Sequence, residues 1–186
     1  VQIVNGNGLA EDYTSKIFDK DKYKNFLGRI IQNIGDHLSI GAMAYLGKER
    51  IANHVEQFTV NEAEIYGPDA TLTISDLIQV RLQYLFRKDS QVLTDQDLPG
   101  MQENIHTHGG LAEVLFSPQG DDSMWYALGL FNLVESDYKD ANYRSVTVHG
   151  GYLLRRNVRL AGEYTYVFTD INDPYGKISV GFISAF

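Results

Sequence analysis

The sequence lacks cysteine altogether, which excludes disulfide bonds, thiolate nucleophiles and zinc–thiolate sites in one step. It also lacks a basic excess, because the formal net charge of the 186 residues is −8 at pH 7. A nucleic-acid-binding protein needs a basic surface to neutralise phosphates. We therefore expect no nucleic-acid partner.

Long apolar runs are absent too. No segment reaches the length of about 18 consecutive apolar residues that predicts a membrane-spanning helix. A spanning β-strand needs only about 9 to 11 residues, of which every second one is apolar. The composition, with 44% hydrophobic residues, 12 Tyr and 9 Phe, fits a folded domain and the aromatic girdles of a membrane β-barrel.

The sequence does contain a period-two alternation of apolar and polar residues, which predicts β-strands. Between 77 and 88 an apolar row opposes a polar row with Gln79, Arg81, Gln83 and Arg87. Between 158 and 169 a second apolar row opposes Arg159 and Glu163. Ten strands are predicted in this way, near residues 1–6, 26–35, 38–48, 60–74, 77–88, 106–117, 124–135, 143–155, 158–169 and 177–186.

The connections between these predicted strands alternate in length. The long ones cover 6–25, 49–59, 89–105, 136–142 and 170–176, and the short ones cover 36–37, 75–76, 118–123 and 156–157. Outer-membrane barrels have short turns on the periplasmic side and longer loops outside. The pattern predicts an all-β fold, an antiparallel transmembrane β-barrel, as a single domain over 1–186 in the bacterial outer membrane.

The charged residues indicate which face of each strand meets water. A lipid-facing Arg near mid-bilayer costs roughly 2 to 4 kcal/mol, so the face that carries Arg81 is predicted to be the lumen. Gln32 and Asn132 are exceptions that fall on the apolar side. The predicted pore-lining residues are Arg29, Asp69, Arg81, Arg87, Glu113, His149, Arg159 and Glu163. The predicted membrane-facing residues are Ile78, Val80, Leu82, Tyr84, Phe86, Tyr164, Tyr166, Phe168, Phe182 and Phe186.

Several segments carry a family resemblance. The alternating end of the chain, up to Phe186, resembles the closing strand of bacterial outer-membrane barrels. The opening Val1-Gln2-Ile3-Val4-Asn5-Gly6-Asn7-Gly8 with Phe26-Leu27-Gly28-Arg29, and the later Tyr66-Gly67-Pro68-Asp69-Ala70 and Gly109-Gly110-Leu111-Ala112-Glu113, resemble the phosphate-selective porin O and P family of Gram-negative bacteria. This resemblance implies that the chain is the carboxyl-terminal part of a larger barrel of about 16 or more strands.

The leading functional hypothesis is a porin for passive diffusion of small solutes. Arg29, Arg81, Arg87, Arg155 and Arg159 outnumber the lumenal acids, which indicates a weak preference for anions. The alternative is that these arginines pair with acids and brace the lumen, as Arg159 could with Glu163. The expected partners are outer-membrane lipid and lipopolysaccharide, small solutes, and a homo-trimer or another barrel partner.

No enzyme, cofactor or metal site is predicted. The sequence has no Gly-x-Ser-x-Gly elbow, and lumen polarity explains Ser145, His149 and Glu163 as well as a catalytic triad would. His106 and His108 point the same way on one strand, but no third metal ligand is evident beside them.

Two other functions remain open from the sequence. One is a barrel scaffold or sheath for a partner, such as a cytochrome or a secretion component, in an outer-membrane complex. The other is a soluble β-barrel that binds an apolar ligand, with the residues from Ile78 to Phe86 turned inward and Arg81 and Arg159 in water.

Overall fold

A computed structural model describes residues 2–4, 23–52, 58–93, 101–155, 157–169 and 173–184 of the chain. These residues form one antiparallel sheet of ten strands, with two short 3-10 turns, Gly120–Asp122 and Lys139–Ala141. The strands are β1 (Gln2–Val4), β2 (Asn25–Ile34), β3 (Leu38–Ala52), β4 (Phe58–Ser75), β5 (Ile78–Leu93), β6 (Met101–Phe116), β7 (Trp125–Ser136), β8 (Tyr143–Arg155), β9 (Val158–Phe168) and β10 (Tyr175–Ser184).

The strands form a meander in which each one pairs with its neighbours in sequence. The predicted all-β, antiparallel fold is therefore confirmed, and each predicted strand has a counterpart. Within the described residues β1 does not pair with β10, so the sheet is open there.

The prediction that long and short connections alternate along the whole chain is wrong. The β6–β7 connection spans eight residues, 117–124, whereas the β3–β4 connection spans only five, 53–57. The reason is that β3 and β4 keep pairing as far as Ala52 and Phe58. In addition, the β6–β7 connection folds back onto the β4–β5 turn, where the amide of Ser117 donates to the carbonyl of Leu77 at 2.8 Å.

The register of the sheet is staggered. Direct cross-strand partners lead from Ile34, the last residue of β2, step by step to Ile178 of β10, and β10 then continues for six residues to Ser184. Six residues correspond to about 20 Å along a strand, over eight strand spacings that total about 38 Å. The strands are therefore inclined by about 28° to the perpendicular of the line that joins their ends. A barrel needs such a stagger in order to close.

Directly paired residues of antiparallel strands lie on the same side of a sheet, so the register defines two faces. We call the face with Ile78, Leu82 and Phe86 the exposed face, and the face with Arg81 and Arg87 the sheltered face. Every buried side chain in the described part lies on the sheltered face: Asn25, Asn61, Asp89, Ile105, Ser145, Thr147 and Val167.

The exposed face carries most of the apolar side chains that face solvent, although Ile31 and Ile183 of the sheltered face are also 56 and 64% exposed. Those of the exposed face include Leu72, Leu82, Val114, Val148 and Tyr164, each more than two-fifths exposed. Only Ile105 and Val167 are buried hydrophobic residues in the described part of the chain. The sheet thus shelters polar groups and exposes apolar ones, the reverse of a water-soluble sheet packed on a core.

Candidate functional site

All eight predicted pore-lining residues lie on the sheltered face, spread from β2 to β9. The structure brings six of them together as three pairs: Arg29 with Asp69, Arg81 with Glu113, and His149 with Glu163. Arg87 and Arg159 stand apart from those pairs and have other partners.

The first pair crosses an intervening strand. Arg29 Nη2 on β2 donates to Asp69 Oδ1 on β4 at 2.7 Å, although β3 lies between them. Asp69 is directly opposite Gly41 of β3, and a Cβ atom at position 41 would lie 2.5 Å from Asp69 Oδ2. The missing side chain of Gly41 is therefore what lets the carboxylate lean across β3. Asp69 Oδ2 is buried without a hydrogen-bond partner among the described residues.

Two further arginines on β5 are also paired. Arg81 is directly opposite Glu113 of β6, with Nη1 and Oε1 3.3 Å apart. Arg87 donates through Nε and Nη2 to both carboxylate oxygens of Asp89, at 2.6 and 2.8 Å, and Asn61 Nδ2 donates to Asp89 Oδ1 at 2.7 Å. Asp89 is only 3% exposed. The sequence prediction missed Asp89 because it placed this residue in a loop, although the alternation continues through it to Gln91.

His149 joins three strands. Its Nδ1 lies 3.3 Å from Glu163 Oε2 on β9, and its Nε2 lies 2.9 Å from the hydroxyl of Tyr126 on β7. The His149 and Tyr126 rings stack with centroids 5.6 Å apart and planes at 21°. No hydrogen bond joins Ser145 to His149 in the described part of the chain, and the Ser145 hydroxyl instead accepts from Asn132 Nδ2 at 3.3 Å. The Ser145–His149–Glu163 arrangement considered from the sequence is therefore not formed.

Asn132 and Tyr126 correct the predicted orientation of β7. Asn132 pairs with Leu111 and Ser145 on the sheltered face, so its predicted place on the apolar side is wrong. The exposed row of β7 contains Trp125, Ala127, Gly129, Phe131 and Leu133. Gln32 does lie on the exposed face as expected, opposite Ile40.

Arg159 has no carboxylate partner in the described part of the chain. Its guanidinium carbon lies 5.3 Å from the centre of the Tyr126 ring, a cation–π contact. The expected pairing of Arg159 with Glu163 is not formed, because Glu163 accepts instead from His149 and from the hydroxyl of Thr165 at 3.4 Å.

The formal charges on the sheltered face cancel where side chains are described. The cations are Arg29, Arg81, Arg87, Arg159 and Lys177, and the anions are Glu49, Asp69, Asp89, Glu113 and Glu163. With neutral His149 the sum is zero. Arg155 does not belong to this set, because an irregularity after Leu153 places it opposite Val158 beside the β8–β9 turn. The cationic excess counted from the sequence is therefore wrong.

Of the predicted membrane-facing residues, all except Phe186 lie on the exposed face, and Phe186 is outside the described residues. Towards the long-connection end this face has an aromatic cluster. Phe86 contacts the rings of Tyr66, His106 and His108 at centroid distances of 5.1, 5.7 and 5.1 Å. The His108 ring also hydrogen-bonds the Tyr84 hydroxyl.

Beyond the aromatic cluster the exposed face becomes charged. Lys48 pairs with Glu62, and Arg144 Nη2 lies 2.7 Å from Glu135 Oε1. The order along the strands is thus an apolar band, an aromatic row and then a band of ion pairs. The described residues contain no group of three or more metal-ligating side chains, and His106 itself contacts Asp137 at 3.2 Å.

None of the helices in the described ranges is long and apolar enough to cross a bilayer. Comparison of the chain with protein-family models, curated proteins and solved structures found no match in any of the three. The resemblance to the phosphate-selective porins therefore stays a prediction, and the fold and the two faces of the sheet carry the functional argument.

Proposed function

We propose that this chain forms the wall of a β-barrel pore in the bacterial outer membrane, through which small solutes diffuse passively. The exposed face contacts lipid and the sheltered face lines the water-filled lumen. The observation that carries the proposal is the inverted burial of the sheet. Ile178, Val180 and Phe182 are 76, 81 and 73% exposed, while Ser145, Thr147 and Asp89 are buried. Lipid removes the cost of exposing apolar groups to water.

The dimensions of the apolar band support this reading. The row from Ile78 to Phe86 spans eight residue steps, about 27 Å along β5. With strands inclined by about 28°, the band is about 24 Å tall, close to the roughly 25 Å lipid-facing band of outer-membrane barrels. The aromatic cluster around Phe86 and the ion pair of Lys48 with Glu62 then lie at the level of one membrane surface.

A sheet in lipid must close, because every unpaired backbone group facing hydrocarbon costs several kcal/mol. β2 and β10 run in the same direction, so antiparallel closure between them requires a further strand that runs in the opposite direction. β1 runs in that direction but pairs only with Asn25, Phe26 and Leu27 of β2. The proposal therefore includes a larger barrel of about 16 or more strands, or association with another barrel subunit such as in a trimer.

The charge balance of the sheltered face favours a weakly selective channel. Arg29, Arg81 and Arg87 are each neutralised by a carboxylate, so they brace the wall more than they attract ions. Weak selectivity is what a face with cancelling charges predicts.

The proposal is tested by purification and reconstitution. The protein should require detergent for extraction, migrate differently on gels before and after heating, and produce conductance in planar bilayers. Reversal potentials across a KCl gradient should give a cation-to-anion permeability ratio near one. Extraction without detergent, or a folded protein that never conducts, would contradict the proposal.

A second function is favoured by one observation on the sheltered face. Leu111, Leu115, Leu128 and Leu130 are half-buried there, on the adjacent strands β6 and β7. Such an apolar patch suits a scaffold whose lumen holds a partner protein. Stable co-purification of a second chain, with crosslinks to Leu115 or Leu128 positions, would favour this function over free diffusion. A soluble ligand binder is not favoured, because its apolar row would have to be the sheltered one.

A further inference from the structure

Arg159 differs from the other arginines of the sheltered face in its partners. Arg29, Arg81 and Arg87 each contact a carboxylate within 3.3 Å. Within the described residues Arg159 has no hydrogen-bond or ion-pair partner, and its guanidinium carbon lies 5.3 Å from the centre of the Tyr126 ring. A guanidinium group has five N–H donors in a planar fork, which matches a carboxylate in a bidentate manner. Among the residues that the structure describes, no carboxylate occupies the donors of Arg159, which leaves them available to a solute.

Neighbouring residues hold the Tyr126 ring in place beneath the guanidinium group of Arg159. The Tyr126 ring lies over Gly151 of β8, where a Cβ atom would come within 2.3 Å of the ring carbon Cε1. The Tyr126 ring is also held by a hydrogen bond between its hydroxyl and His149 Nε2 at 2.9 Å, and His149 Nδ1 in turn lies 3.3 Å from Glu163 Oε2. The Glu163 carboxylate is thereby directed towards His149, so it does not neutralise Arg159.

The neighbouring positions on the sheltered face are apolar. Leu153 of β8 and Ile183 of β10 are directly opposite Arg159, and Leu128 of β7 is directly opposite His149. Both leucines are half-buried. A solute whose carboxylate meets Arg159 would therefore lay its remaining atoms beside a phenol ring and aliphatic side chains.

We propose that Arg159, Tyr126, Leu128 and Leu153 form a binding site for small carboxylates that carry an apolar body. His149 and Glu163 are positioning residues that hold Tyr126 under the guanidinium group. The role of this site in permeation rests on the proposed pore function, but its chemistry does not. In a pore, binding at this site would retain these solutes at the lumen wall. The arginines that are paired with carboxylates would not bind them.

The test uses benzoate as the probe and benzamide, which has the same shape without the charge, as its control. Each is titrated into the refolded full chain in detergent micelles while the amide signal of Gly151 is followed by NMR. The shift of the Gly151 signal should reach saturation as benzoate is added. Benzamide should cause no saturable shift, even though both probes partition into micelles. A benzamide response equal to that of benzoate would overturn the proposal.

The matched variants are Arg159→Gln and Arg81→Gln, both arginines of the sheltered face. Charge-assisted hydrogen bonds are worth about 1.5 to 3 kcal/mol, so Arg159→Gln should weaken benzoate binding by at least about tenfold. Arg81→Gln should leave it nearly unchanged. Equal binding by the wild type and Arg159→Gln would overturn the site.

A third variant tests the platform. Gly151→Ala should weaken benzoate binding because its Cβ displaces the Tyr126 ring, and Tyr126→Leu should do the same if Gly151→Ala does not fold. Unaltered binding in the folded variant would remove Tyr126 from the site. Bilayer conductance is recorded separately, so saturable binding without conductance would contradict the pore alone. Conductance without saturable benzoate binding would contradict the site alone.

Discussion

Leu82 offers a direct measurement of what surrounds the exposed face. It is the middle residue of the apolar row from Ile78 to Phe86, it lies opposite Ala70 and Ala112, and it is 51% exposed. At about 3.4 Å per residue and an inclination of about 28°, Leu82 lies about 12 Å from either end of the band along the membrane normal. It is therefore at mid-depth if lipid surrounds this face.

Leu82→Arg should then destabilise the folded protein in lipid vesicles by about 2 to 4 kcal/mol, because an arginine is placed at the bilayer midplane. This corresponds to a change of about 30- to 900-fold in the folding equilibrium constant. The neighbouring substitution Gln83→Arg, on the sheltered face, is the matched control and should change stability by less than about 0.5 kcal/mol. Reversible urea unfolding in vesicles measures both.

The outcome distinguishes lipid from water as the surroundings of the exposed face. If water covers the exposed face, Leu82→Arg replaces an exposed apolar group by a soluble one and should be neutral, within about 0.5 kcal/mol. Equal stabilities of Leu82→Arg and Gln83→Arg would therefore refute the assignment of the exposed face to lipid.

Two more predictions concern the sheltered face. Gly41→Ala should separate Arg29 from Asp69, since its Cβ would meet Asp69 Oδ2 at 2.5 Å. It should lower the free energy of unfolding, measured in urea, by about 1 kcal/mol. Gly129→Ala, with no atom within 4 Å of the added Cβ, is the control and should cause no comparable loss. In bilayers, Glu113→Gln should shift the reversal potential towards anions by leaving Arg81 unbalanced. The double variant Arg81→Gln/Glu113→Gln should restore the wild-type potential, and a persistent shift would argue against neutralisation within the pair.

The strands were predictable from the sequence because their alternation is a local property. In β5 the apolar row ends at Phe86 and the polar row contains Arg81 and Arg87, so both the strand and its orientation follow from neighbouring residues. The orientation of β7 was predicted wrongly because both of its rows are partly apolar. The exposed row includes the small residues Ala127 and Gly129, while the sheltered row includes Leu128 and Leu130, so hydrophobicity did not distinguish them.

The candidate site was less predictable because its contacts depend on register across several strands. Asp69 reaches Arg29 only because the residue between them in the sheet is Gly41, and these three residues are far apart in sequence. Likewise, Glu163 contacts His149 on the next strand, while the guanidinium group of Arg159 lies against the Tyr126 ring two strands away. Spacing along one strand indicates which residues share a face, but not which of them touch.

Gly67 and Pro68 provide a final test of how the sheet is built. They lie inside β4, a central strand, where proline is unusual because it cannot donate a ladder hydrogen bond. The β4–β5 pairing runs through Tyr66 and Asp69 but omits these two residues. Here the β5 backbone approaches so closely that a Cβ atom at Gly67 would lie 1.9 Å from the carbonyl oxygen of Tyr84.

Gly67→Ala must therefore push apart two backbones and not merely rotate a side chain. We expect a loss of about 1 to 3 kcal/mol of unfolding free energy, from overpacking that no rotamer change can relieve. Gly110→Ala is the matched control, because it faces the Gln83 carbonyl oxygen at an ordinary 3.6 Å. Urea unfolding of both variants under the same conditions provides the comparison. A Gly67→Ala protein as stable as Gly110→Ala would mean that β4 and β5 are farther apart at this point, and that the register through Asp69 and Arg81 needs revision.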